Sequence, residues 1–97
     1  YFNFNYMVSQ LLTSDMLKNL TGKEKNFVEN FINKIENDKE LAGKFYFYMA
    51  DKIGDKEMVE EFKQLSEDIQ KTACIEYLII GLTAGNLRLD EISELLK

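Results

Sequence analysis

The chain contains no histidine, no proline, one cysteine (Cys74) and one arginine (Arg88). Without His there can be no Ser-His-Asp or Cys-His nucleophile system, no imidazole acid–base chemistry and no His-ligated metal. One thiol cannot close an internal disulfide, so the natural reading is a reducing compartment, and the expected location is cytoplasmic. Cys74 follows Ala73, and its nearest basic neighbour is Lys71. It reads as a buried, inert thiol. No signal-peptide pattern is visible. The longest apolar stretch, Tyr77–Leu82, spans six residues, far short of the about 20 needed to cross a bilayer, so no membrane role is expected.

Basic charge is scarce. Twelve basic residues face 17 acidic ones, for a net charge of −5, and the lysines are interspersed with carboxylates. Contact with a phosphate backbone needs a concentrated basic face, and base readout favours the arginine fork, so no direct nucleic-acid partner is expected. Linkers, low-complexity tracts and internal repeats are also missing. The 97 residues, 45% of them apolar, therefore read as a single domain, 1–97. A chain of this size buries roughly 60–65% of its unfolded surface. Such a core is thin, which favours oligomerisation.

What is present is helical periodicity. Tyr6, Met7, Leu11, Leu12, Met16, Leu17 and Leu20 recur at spacings that predict a helix over 7–20. Thr21-Gly22-Lys23-Glu24 reads as a capping box, with the Thr21 hydroxyl and the Glu24 carboxylate each accepting from the other's backbone N–H. Beyond it, Val28, Phe31, Ile35, Ala42, Phe45, Met49 and Ile53 keep phase, predicting one long helix over 22–53 with a kink near 37–39. Gly54 suits a left-handed C-cap and Asp55 the next N-cap. Met58, Phe62, Leu65, Ile69, Ala73 and Ile80 then mark a second long helix, 56–84, closed by Gly85-Asn86. Asp90 starts a short terminal helix over 90–97. Residues 1–6 alternate Phe2, Phe4 and Tyr6 with Asn3 and Asn5, and are expected to form an extended arm docked on the bundle or a neighbour, or to be residue from a tag.

The expected fold is all-α: an antiparallel helical bundle built on two long helices with a short helix at each end. Counting outward from Gly54-Asp55 pairs Met49 with Phe62, Phe45 with Leu65, Ala42 with Ile69, Asp38 with Thr72 and Ile35 with Glu76. Asp38, Thr72 and Glu76 would then form a polar layer inside an apolar seam, where a carboxylate needs a donor or a cation. Asp38, Glu40 and Glu76 are accordingly candidate ligands for Mg²⁺, Ca²⁺ or Mn²⁺. In the plainer reading, Asp38 marks a kink, Glu76 pairs with Lys34 or Lys39, and Glu40 is solvated.

Phe45-Tyr46, Ala50, Asp55 and the stretch Phe62-Lys63-Gln64-Leu65-Ser66-Glu67-Asp68-Ile69-Gln70-Lys71-Thr72-Ala73 resemble the hairpin of ferritin-like proteins of the rubrerythrin type, whose second helix runs Phe-x-x-Leu-Ala-x-Asp-Glu-x-x-His-Ala. The resemblance covers Lys39–Ala73 and implies a helical bundle. The family's Glu-x-x-His ligands fall on Ile69 and Thr72, and the glutamate of its preceding helix on Lys39, with Glu40 one residue away. The resemblance therefore implies a lost di-iron site, and no cofactor is expected.

Phe45, Tyr46, Phe47 and Tyr48 are consecutive aromatics. On a helix they spread over about 300° of arc, so some must face a surface other than the hairpin partner. Tyr46, Phe47 and Tyr48, with Phe2 and Phe4 of the arm, are the candidate interface residues of a homodimer. The functional expectation is a non-enzymatic acidic helical protein acting in protein–protein interaction or oligomeric assembly. One alternative is a divergent ferritin-like carboxylate metal or redox protein; another is an acidic inhibitor occupying the basic groove of a nucleic-acid-binding partner.

Overall fold

A computed structural model describes residues 3–13 and 15–97. It is 82% helix, and no strand occurs among the described residues. The helices are α1 (Phe4–Leu12), α2 (Gly22–Glu36), α3 (Lys39–Ile53), α4 (Glu57–Lys63), α5 (Glu67–Ala84) and α6 (Leu89–Ile92), with short 3-10 segments at Asp15–Asn19 and Ser93–Leu96. Among the described residues no helix is long and apolar enough to cross a membrane.

The extended arm expected over 1–6 is, from residue 3 onward, a helix start. Asn3 Oδ1 accepts from the Tyr6 N–H at 2.8 Å, which satisfies an otherwise unpaired first-turn donor, and Phe4 and Val8 are buried. That helix stops at Leu12, well short of 20. Thr13 Oγ1 donates to the Ser9 and Gln10 carbonyls, and the chain then takes the 3-10 turn.

The Thr21 capping box is present as expected, with Thr21 Oγ1 accepting from Glu24 N at 3.1 Å and Glu24 Oε1 from Thr21 N at 2.9 Å. The single helix expected over 22–53 is two. Asp38 adopts an extended backbone, and its Oδ1 accepts from Glu40 N and Leu41 N, both at 3.1 Å. A short carboxylate that can bond first-turn amides begins a new helix in place of continuing the old one. The chain folds back at this corner, bringing the Phe31 ring edge-on to Phe45 with centroids 5.1 Å apart.

The second long helix, expected over 56–84, is likewise divided. Gly54, at φ 83°, closes α3 as expected, and Asp55 Oδ1 accepts from Glu57 N. The short α4 ends at Lys63, with Gln64 as its C-cap, and Ser66 Oγ then accepts from Ile69 N to start α5. The Gln70 side chain donates to the Phe62 carbonyl at 2.8 Å, tying the end of α4 to the start of α5.

This break reverses the packing. The helix α4 with its following loop is the return leg, so α5 runs parallel to α3: Cys74 Sγ donates to the Ala42 carbonyl, Tyr77 meets Tyr46, and Ile80 and Gly81 lie beside Met49 and Ile53. The antiparallel register expected between residues 38–53 and 58–72 does not form. Phe62 stacks on Tyr46, with centroids 4.0 Å apart, about one helical turn from the Met49 that the expected register pairs with it. Leu65 and Ile69 are exposed.

The core is centred on α5, which packs against α1, α2, α3 and the Asp15–Asn19 turn. Cys74, Ile75, Leu78 and Ile79 are wholly enclosed. A helix covered by neighbours on several sides has no wide polar stripe. Burial pushes the Cys74 thiol up to about 12. At its C-terminus Gly85 takes φ 78° and both Asn86 N and Leu87 N bond the Gly81 carbonyl, the closure expected from Gly85-Asn86. The final helix begins at Leu89 and not at Asp90, because Glu91 Oε1 reaches back to Arg88 N. It gives way to the 3-10 segment within 90–97.

Candidate functional site

The three candidate metal ligands are not brought together. Asp38 is committed to capping α3, and Glu76 lies exposed on α5. Asp38 and Glu40 line a cleft whose other charged walls are Lys34, Lys44 and Lys97. Ammonium groups at that density oppose a divalent cation. Among the described residues no three His, Cys, Asp or Glu side chains form a metal-binding group. The polar layer expected with Thr72 is also missing, since Thr72 Oγ1 donates to the Asp68 carbonyl at 2.8 Å and contacts Met7 Sδ.

The candidate interface residues have separated. Phe2 lies outside the described residues. Phe4 is buried against α5, with Lys71 Nζ 5.8 Å from its ring centroid. Tyr46 is enclosed between Phe62 and Tyr77, and burial, helped by Tyr77, pushes its phenol up to about 12. Tyr48 is half-buried and donates to Glu91 Oε2 at 2.9 Å. These three therefore serve the fold of a single chain. Phe47 does not: it is 64% exposed, more than any other large apolar side chain described.

The helical arc explains the outcome. Phe45 faces α2, Tyr46 faces α4 and α5, and Tyr48 faces α6. At about 100° per residue, Phe47 falls on the remaining sector. There it stands at one wall of an open groove between α3 and α4, with Ala50 and Val59 as the other apolar residues and Asp51, Lys56, Glu60 and Lys63 around them. At about 380 Å³ the groove lies at the small end of ligand sites, which run to about 1,000 Å³. It carries no buried titratable group. Its chemistry is that of apolar contact inside a charged rim.

Charge around the groove is balanced. Two carboxylates and two ammoniums line it, whereas the whole chain carries −5. Glu60 pairs with Lys63 at 3.3 Å, both well exposed. Asp51 and Lys56 make no ion pair among the described residues. Sequence reasoning did not bring Val59 and this rim together with Phe47, because it treated residues 56–84 as one helix. The signal was Ser66 followed by Glu67 and Asp68, an N-cap with an acidic first turn. That start would have cut α4 short and left its outer face uncovered.

A second apolar groove, between α3 and α5, is lined by Met49, Ile53, Tyr77 and Ile80, with Lys52 and Asn86 at its edge. No protein-family model, no curated protein and no solved structure matches this chain.

Proposed function

We propose that this chain is a non-enzymatic protein–protein interaction module whose contact surface is the α3–α4 groove centred on Phe47. The observation that carries the reading is the exposure of Phe47 (64%) in a run of aromatics whose other members are all taken up by the fold. An aromatic side chain removes about 150–250 Å² from water when buried, and aromatics are enriched at the buried centre of interfaces. Left mostly in water, the ring contributes little to the free chain; covered by a partner, it becomes the natural anchor.

The test is a contrast in stability. At a dilution where the chain is monomeric, Phe47→Lys is expected to leave the thermal midpoint unchanged or raise it, while Phe45→Ala costs about 3–5 kcal/mol as a core truncation. If Phe47→Lys destabilises the free chain to a similar degree, the ring belongs to the fold and the reading is wrong.

A further inference from the structure

From the groove's charge pattern we infer that its occupant is a second copy of this chain, docked about a two-fold axis with each Phe47 seated against the partner's groove. The inference rests on the reading of Phe47 as a contact residue and names its partner.

Self-association must overcome the mutual repulsion of two chains of net charge −5. That repulsion is weakest where the local charge cancels, and it cancels at this groove, which holds Asp51 and Glu60 with Lys56 and Lys63. A two-fold interface uses the same patch twice, so any contact between residue i and residue j occurs in both directions. A patch of one sign would repel itself in that arrangement. A patch carrying both signs can pair carboxylate with ammonium across the axis, twice over. The unpaired Asp51 and Lys56 both lie toward the turn end of the groove from Phe47, one on α3 and the other at the start of α4. They can meet their counterparts in the second copy while the rings and Val59 are covered. Electrostatic complementarity of this kind sets register and partner choice more than affinity.

The second apolar groove lacks this property. Its one charged lining residue is Lys52, already held by Glu91 at 2.8 Å.

The experiment is light scattering across a dilution series on the whole chain and on two charge-reversed variants, Asp51→Lys with Glu60→Lys and Lys56→Glu with Lys63→Glu. All four positions are exposed or half-exposed at the helix surface, and circular dichroism confirms that each variant is folded. The expected result is a dimer for the unaltered chain, loss of the dimer in each variant alone, and its recovery when the variants are mixed in equal amounts. Phe47→Ser is expected to abolish the dimer with an unchanged helical spectrum. A chain that stays monomeric at its highest soluble concentration overturns the inference, as does a dimer indifferent to Phe47→Ser or a mixture that fails to recover. A monomeric chain in which Phe47→Lys is neutral for stability overturns the second copy alone and leaves the interaction surface for a different protein. Destabilisation by Phe47→Lys overturns both.

Discussion

Lys71 Nζ donates to the Glu36 carbonyl at 2.8 Å, so a side chain from the first turns of α5 closes the C-terminus of α2. Lys71 is buried, at 8% exposure, and its ammonium is held also by Glu67 at 3.5 Å. A cation at a helix C-terminus meets the negative end of the dipole and an otherwise unpaired carbonyl. Lys71→Met keeps much of the apolar stem and removes the donor. It is expected to destabilise by about 1–3 kcal/mol, the usual effect of leaving a buried polar group unpaired, as measured by urea unfolding. A neutral result would mean that water satisfies the Glu36 carbonyl.

Gly81 has no room for a side chain. A methyl group there would stand 2.6 Å from Leu87 Cγ, and Leu87 is buried directly over it. Gly81→Ala gains about 1 kcal/mol of helix propensity but forces Leu87 out of place, at a cost of about 1–3 kcal/mol. The net effect is expected to be destabilising, and in the background of Leu87→Ala the same substitution should become neutral or stabilising. A double-mutant cycle by chemical unfolding reads this coupling directly.

Glu91 holds α6 to α3. It accepts from Lys52 Nζ at 2.8 and 3.0 Å, from the Arg88 N–H and from the Tyr48 hydroxyl. The Lys52 ammonium and those further donors hold its carboxyl down to about 2, against an ordinary 4.5. Between these two values the unfolded chain binds the proton and the folded chain does not, so stability rises with pH across that window and is lost as pH falls through it. Glu91→Gln should lower the thermal midpoint at neutral pH, and its difference from the unaltered chain should shrink toward pH 2. A difference that does not change with pH would remove the carboxylate from the account.

Asp38 makes the corner between α2 and α3. Asp38→Ala removes the acceptor used by Glu40 N and Leu41 N and is expected to cost about 1 kcal/mol. Asp38→Asn should retain most of that. Thermal unfolding of the two variants side by side separates capping from charge: equal losses would mean that the carboxylate acts through its charge.

The residues that were legible in the sequence act locally. Thr21 with Glu24, Gly54 and Gly85 specify caps through their own backbone and side-chain chemistry. Asp38 and Ser66 are equally local, yet both breaks hide inside unbroken apolar periodicity. The stripe keeps phase through Ile35 and Ala42 because α2 and α3 both pack against α5, and periodicity reports what is buried without reporting whether the helix is continuous. The helix α5 is harder to read. The stripe taken from the sequence ran through Leu65, Ile69 and Ile80, all of which are exposed, whereas the buried side runs through Lys71, Cys74, Ile75, Leu78 and Leu82. With apolar residues on nearly every face, the pattern does not choose its own inner side. The candidate interface was legible only as a count, since four aromatics in a row cannot all be covered. Which one stays outside is decided by where α2, α4 and α6 lie.

The central place of α5 has a consequence for the order of synthesis. The faces of α1, α2 and α3 that it covers are all made before residues 67–84 exist. At roughly 5–20 residues per second, the ribosome needs seconds to pass from Ile53 to Ala84. Throughout that interval Phe31, Ile35, Phe45 and Met49 lack the helix against which they finally pack. The apolar faces of α1, α2 and α3 are thus complete in the chain before the helix that closes them.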